Sequence, residues 1–385
     1  MDDSNQTKFR NNRIHLSLAN VQEDEIQTVV ESIRSGWITT IGPEVDAFEA
    51  EIAYQTARRF AVALSSGTSA LHLAYKYKDI CKNDEVIIPT ITFGATAFPA
   101  TYLGARPVFL DVEAGTLTLD AELLRKFLLE RSKFNRIPKA IVPVDLYGSP
   151  CDYSALDELS KEFEIPLICD AAEALGSEYL GKPVGAMGEV SVISFNGNKI
   201  ITTSGGGMFL TDDEEVADKV RYWATQSREP VVWYEHKEIG YNYRLSNVLA
   251  ALGRAQLKRL PEFVAKRRQI RAWYTELLSD IEGLSVIQDP PWGKSNAWLT
   301  VVLFDLKMHP NAPERIRQAL ERANIESRPI WKPLHQQPVF ANCETYLTGV
   351  ADEIFSRGLC LPSGSALTYE QIFRVADVLK AELIR

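Results

Sequence analysis

Lys199 sits in SFNGNKIITTSGGG, a polar, glycine-rich turn between two apolar runs. Small neighbours let backbone approach a ligand closely, and an amine held there can condense with an aldehyde. An arbitrary loop lysine is a solvated charge; the setting is what lifts Lys199 out of that reading. Asp170 ends the run IPLICD, where an acid at the carboxy edge of a buried strand faces the crevice in which such sheets bind ligands. It could hold a pyridine nitrogen protonated, or equally cap a helix begun by AAEAL. Ser65-Ser66-Gly67-Thr68-Ser69 follows a strand and opens the helical stretch SALHLAYKY. Free N–H groups and the positive helix end would face an anion there, although a plain capping turn looks the same. Phe93 closes IIPTITF and could stack on a flat ring, while an aromatic at a strand end is more often core.

An amine for an aldehyde, an acid for a ring nitrogen, an anion cradle and a ring face are what pyridoxal 5′-phosphate (PLP) asks of a protein. Rival nucleotide readings are weaker. The SGTS turn lacks the Gly-Lys-Ser/Thr of a Walker A loop, and GKPVGAMG is not a GxGxxG after a strand.

These groups need a sheet to position them. From about residue 59 to 211 short apolar runs (RFAVALSS, EVIIPTITF, RPVFLDV, KAIVPVDLYG, IPLICDAA, VSVISF, GGMFLT) alternate with helical stretches such as YSALDELSKEF and EVADKVRYWAT. That rhythm predicts βαβ units, an α/β fold and a mostly parallel central sheet flanked by helices. Ahead of it, QEDEIQTVVESIRS reads as an amphipathic helix stopped at Gly36, and PEVDAFEAEIA as a second one after Pro43. Beyond SNVLAALGRAQLKRL comes a charged helix near 262–281. Isolated strands (NAWLTVVLF, ESRPIW) and two more helices then predict a smaller α+β domain. The expected division is a large PLP-binding domain over 1–260, including the helical amino-terminal segment, and a small domain over 261–385.

The 385 residues carry a formal net charge of −9, the opposite of a nucleic-acid footprint, so an anionic substrate would need local Lys and Arg. Five scattered cysteines without a CxxC pair fit a reducing compartment and no metal site. No run approaches the roughly 18 apolar residues that span a bilayer, and MDDSNQTKFRNNR lacks a signal core; a cytoplasmic protein without membrane partners is expected. Asn5 opens a glycosylation triplet, which without a secretory signal carries no physical event.

Taken in order, SSGTSALHL, IIPTITFGATAFP, DAAEALGS, SFNGNKIITTSGGGM and GYNYRLSN resemble the DegT/DnrJ/EryC1/StrS family of PLP-dependent sugar aminotransferases. The resemblance runs from SGWITTIGPEV to RPIWKPLHQQPVF. It implies the type I (aspartate aminotransferase) fold and a homodimer with a shared active site. By position in the matching motifs, it makes Lys199 the cofactor lysine, Asp170 the pyridinium partner and Glu173 a contact to the ring hydroxyl. Many relatives have Gln where Glu173 stands, a departure that touches the hydrogen bonding there and not the cofactor. Gly67, Thr68 and Ser194 match phosphate positions, Phe93 the stacking position, and Asn242 a phosphate contact from the neighbouring subunit. Some family members replace the lysine with histidine and dehydrate sugars, so Lys199 favours amino transfer.

NGNKIITTSGGG and RPIWKPLHQQPVF are most similar to the branch that aminates C4 of UDP-linked 4-keto-6-deoxy-N-acetyl sugars of the bacillosamine type. On the substrate side the resemblance puts Trp37, Arg228, Arg244, Arg328, Trp331, Lys332 and His335. The cations would meet a pyrophosphate, Trp331 would pack on sugar or base, and His335, a lone histidine, is more often structural. The expected reaction is ping-pong transfer from L-glutamate to a nucleotide sugar through pyridoxamine phosphate. Lys199 would carry protons in both halves. A PLP-dependent dehydratase and a non-catalytic PLP- or sugar-binding relative are the alternatives.

Overall fold

The computed structural model describes residues 13–383; the Asn5 triplet and the rest of the amino-terminal dozen lie outside the described residues. All seven apolar runs become strands, at Phe60–Leu64, Glu85–Pro89, Arg106–Leu110, Ala140–Ile141, Ile168–Asp170, Val190–Ser194 and Gly207–Thr211. Ladder bonds, together with the bridges Ile141↔Leu167 and Val144↔Asp170, join them into one continuous sheet. Alternate side chains serve opposite faces, as the period of a strand requires. Val62, Leu64, Val190 and Val192 enter one core, while Ala61, Ala63 and Ile193 enter the core on the other side.

The sheet is parallel with one exception. Gly207–Thr211 runs antiparallel to both neighbours, Phe60–Leu64 and Val190–Ser194. A parallel return needs a long crossover, usually a helix, and residues 195–206, which carry Lys199, contain none. At the far edge Glu344–Tyr346 adds a parallel strand beside Arg106–Leu110, a pairing that the sequence did not foretell.

Side-chain caps start several of the covering helices: Asp120, Asp152 and Asp213 each accept a first-turn N–H for Ala121–Ser132, Tyr153–Phe163 and Glu214–Ala224. The helix Glu23–Arg34 departs from the expected arrangement. It buries Glu25 against Arg259 and Gln256 and leaves Ile26 and Ile33 about half exposed.

A second, antiparallel sheet orders Leu284–Val286, Thr300–Phe304, Gly358–Leu361 and Arg328–Pro329, with helices Ala312–Arg322 and Tyr369–Leu383 packed in its core. The helix Leu260–Leu277 serves both cores, the first through Leu260 and Phe263 and the second through Ile270 and Tyr274. Ile14, from the amino-terminal arm, bridges to Ile325 and joins the second core. Among the described residues no helix is long and apolar enough to cross a membrane.

Candidate active site

Three strand ends and the loop 195–206 converge on a cavity of about 360 Å3 whose walls include Gly67, Thr68, Phe93, Asp170, Glu173, Ser194, Lys199 and Trp331. Its floor is the carboxy edge of the sheet. Asp170, 4% exposed, accepts a hydrogen bond from the Thr96 hydroxyl at 2.7 Å and another from the Ala172 N–H at 3.1 Å. Residues 171–176 form turns, not the helix that AAEAL could have begun. The carboxylate therefore caps a turn with one oxygen and keeps the other beside the cavity. Burial pushes its proton affinity up, against the hydrogen bonds of Thr96 and Ala172. Behind it lies Asp145, whose N–H donates to the Asp170 carbonyl. Its own carboxylate accepts from the Tyr153 hydroxyl and the Cys151 N–H, and burial pushes it up to about 7.

Lys199 is held from two sides. Its Nζ donates to Glu173 Oε1 at 3.2 Å and lies 4.0 Å from the centre of the Trp298 ring. The other oxygen of Glu173 accepts the N–H of Tyr147 at 2.7 Å. Tyr147 takes a left-handed backbone (φ 54°), unusual for a bulky residue and a mark of local strain. In return its hydroxyl accepts the Trp331 N–H at 2.8 Å, and its ring stacks between Trp298 and Trp331.

The anion cradle is the start of the helix Gly67–Tyr77. Ser66 and Ser69 form a reciprocal capping box, each side chain accepting the other's N–H at 3.0 Å. The N–H groups of Gly67 and Thr68, in the first turn, have no partner within the helix. Close approach demands small residues here: a Cβ on Gly67 would sit 3.1 Å from that of Ser194, and one on Gly207 only 2.5 Å from the Gly67 nitrogen. An anion cradle, a buried acid, an amine and the half-exposed ring of Phe93 thus surround one cavity, which is the donor set that PLP fits.

The expected substrate residues divide. Trp331 lines the cavity, and Arg328 and Lys332 line an adjoining one of about 510 Å3 that shares Asn198, Trp298 and Trp331. The others lie off these walls. Both ring nitrogens of His335 are engaged, by Thr90 at 2.7 Å and Asp352 at 2.9 Å. Arg244 is buried against Glu49 at 3.4 Å, and burial pulls its proton affinity down. Trp37, Arg228 and Asn242 are exposed, Arg228 lying over the Tyr234 ring. Reasoning from sequence missed Thr96, Tyr147 and Trp298. All three lie within segments already singled out, IIPTITFGATAFP, KAIVPVDLYG and NAWLTVVLF, but only contacts across the fold reveal what they hold.

The sequence pattern of the DegT/DnrJ/EryC1/StrS aminotransferase family matches residues 19–380. EpsN of Bacillus subtilis (strain 168), assigned as a pyridoxal phosphate-dependent aminotransferase, is 43% identical, with 95% of each chain covered. The GDP-perosamine synthase of Caulobacter vibrioides is 35% identical, with 97% of this chain and 99% of that protein covered. Among solved structures, the aminotransferase TlmJ from Streptoalloteichus hindustanus superimposes with a TM-score of 0.89 at 30% identity, covering 97% of this chain and 99% of that one. With its lysine, acid and anion cradle around one cavity, the chain belongs to the DegT/DnrJ/EryC1/StrS family of PLP-dependent aminotransferases.

Proposed function

We propose that this aminotransferase moves an amino group from L-glutamate to C4 of a UDP-linked 4-keto-6-deoxy sugar, acting in the cytoplasm as a homodimer. The observation that carries the reading is the junction of two cavities. One holds Lys199, Asp170 and the Gly67 helix start, and the other, across Trp298 and Trp331, offers Arg328 and Lys332. A sugar at the first with its pyrophosphate toward the second would meet an amine at one end and cations at the other. The name of the GDP-perosamine synthase relative supports the nucleotide-sugar class. The choice of UDP rests on the resemblance of NGNKIITTSGGG and RPIWKPLHQQPVF.

Bound PLP supplies an aldehyde and an electron-withdrawing ring. Lys199 Nζ would hold the aldehyde, and the same amine would take and return the proton at the reacting carbon of each substrate. Glu173 keeps Nζ oriented between turns. Asp170 would hold the proton on the ring nitrogen, and its burial would strengthen that ion pair. Gly67, Thr68 and Ser194 would bind the phosphate, and Phe93 would cover the ring. Asn242 of the partner subunit would complete the phosphate site. An exposed apolar strip of Ile26, Ile33, Trp37, Ile38 and Ile41 supports the dimer, since such patches mark association surfaces.

The test is the visible spectrum of the PLP-loaded protein, taken before and after L-glutamate and then with the UDP sugar. Loss of the lysine-bound band with glutamate and its return with the sugar is expected. Loss without return, or return only with a GDP sugar, overturns the substrate. A sequential pattern of initial rates overturns the ping-pong scheme.

A further inference from the structure

Trp298 comes from the segment leading into the second sheet, is 1% exposed, and is gripped at every polar atom. Its N–H donates to Asn296 Oδ1 at 2.8 Å, and its carbonyl accepts from Arg267 Nη1 at 2.5 Å. Its indole N–H donates to the Asn198 carbonyl at 2.7 Å. Asn198 immediately precedes Lys199, and the Ser17 hydroxyl donates to the same carbonyl, also at 2.7 Å. Arg267, 2% exposed and without a carboxylate within ion-pair distance among the described residues, reaches both donors, binding Ser17 Oγ at 3.0 Å through Nη2. Asn296 in turn ties the carbonyls of Glu173 and Leu175 to the same segment at 2.9 Å each.

Two features show that this arrangement is maintained against a cost. A buried guanidinium without an acid is expensive, and here its two anchored nitrogens go to the groups that fix Asn198. Ala297, next to Trp298, holds a left-handed backbone at φ 53°, a conformation that persists only where its surroundings over-determine it. The outcome is that the Trp298 ring presents its face to Lys199 Nζ at 4.0 Å, the distance of a cation–π contact.

We infer that Trp298 is the positioning residue of Lys199: its indole N–H fixes the peptide carbonyl before the lysine, and its ring face fixes the amine. This rests on Lys199 being the amine that holds the cofactor. Arg267 and Ser17 act one step further back, so the lysine is aimed from the segment ahead of the second sheet and from the amino-terminal arm as well as from the sheet that carries it. Glu173 Oε1 also accepts a hydrogen bond from Nζ at 3.2 Å, and the Asp170 carboxyl lies near enough to feel the charge of the amine.

The test compares wild type, W298F, W298L and K199A, reloaded with PLP. It reads the rate at which the visible lysine-bound band forms, the circular dichroism of that band, and kcat against KM for the amino donor. W298F keeps the ring and loses the N–H; W298L loses both. The expected result is band formation and kcat lowered about 3-fold in W298F and about 10–30-fold in W298L, with KM within 2-fold and weakened visible dichroism in W298L. Wild-type rates and dichroism in both variants, or a KM that rises in step with the fall in kcat, overturn the inference. If W298L does not fold, W298F decides by the same criteria. A visible band that still forms in K199A brings down the Lys199 reading and this inference together, whereas a band absent in K199A with W298 variants like wild type brings down the inference alone.

Discussion

The two walls of the joined cavities are built to different standards. On the sheet side, Asp170 and Glu173 are 4–5% exposed, and every carboxylate oxygen has a hydrogen-bond donor. Toward and within the adjoining cavity the groups stand in or near solvent: Phe93 is 54% exposed, the Arg328 side chain 67%, and Lys332 lies on the surface. A charge held in a dry, satisfied site acts at full strength, while an exposed ion pair is worth about 0–1 kcal/mol. The first wall is thus suited to chemistry that every substrate shares. The second is suited to discrimination by several small contacts, and it is the side on which relatives can diverge without disturbing the first.

That contrast can be broken most directly at Lys199. K199A should lower turnover by at least about 10^3-fold and abolish the lysine-bound visible band; residual turnover within 10-fold of wild type would remove the sheet wall from the chemistry. D170N keeps the shape and loses the charge. It should lower kcat about 10^2-fold while PLP stays bound, as seen by single-turnover absorbance. On the other wall R328A should raise KM for the nucleotide sugar about 5-fold and leave kcat within 2-fold. A fall in kcat equal to that of D170N would erase the distinction between the walls.

The smallest effect is in stability. Burial lifts the Asp145 carboxyl from 3.8 to about 7, so the folded chain holds a proton that the unfolded chain gives up near pH 4. The resulting stability is present in full below about pH 4 and is lost as the pH rises toward 7. D145N should therefore flatten the fall in thermal midpoint between pH 5 and 8 relative to wild type, measured by calorimetry. Equal slopes would show that the deep layer of the sheet wall titrates no differently from the surface.

The sheet wall was legible in the sequence because its determinants are local: apolar runs end in Asp170, Ser194 and the Ser66 turn, and strand ends converge in such folds. Direction was not legible for Gly207–Thr211, since an apolar run reads alike both ways and only the helix-free connection decides. The edge strand Glu344–Tyr346 has too little apolar pattern to announce itself. Motif position brought His335 and Arg244 forward as well, yet two of their partners, Thr90 and Glu49, lie far off in the chain, and the third, Asp352, comes from the helix Val350–Arg357. Long-range contacts hid Trp298 in the same way: it reads as one more apolar residue of the strand run NAWLTVVLF.

The antiparallel return of Gly207–Thr211 also sets how the family can vary. Ser194 and Gly207 are ladder partners, so the catalytic arm starts and ends at one fixed pair. Adding or deleting one residue in that arm shifts the amine by up to about 3.5 Å while the sheet stays folded, and about 1 Å is enough to cost 10^2-fold in rate. Natural and engineered variants should therefore tolerate length changes almost anywhere on the surface before they tolerate one between Ser194 and Gly207.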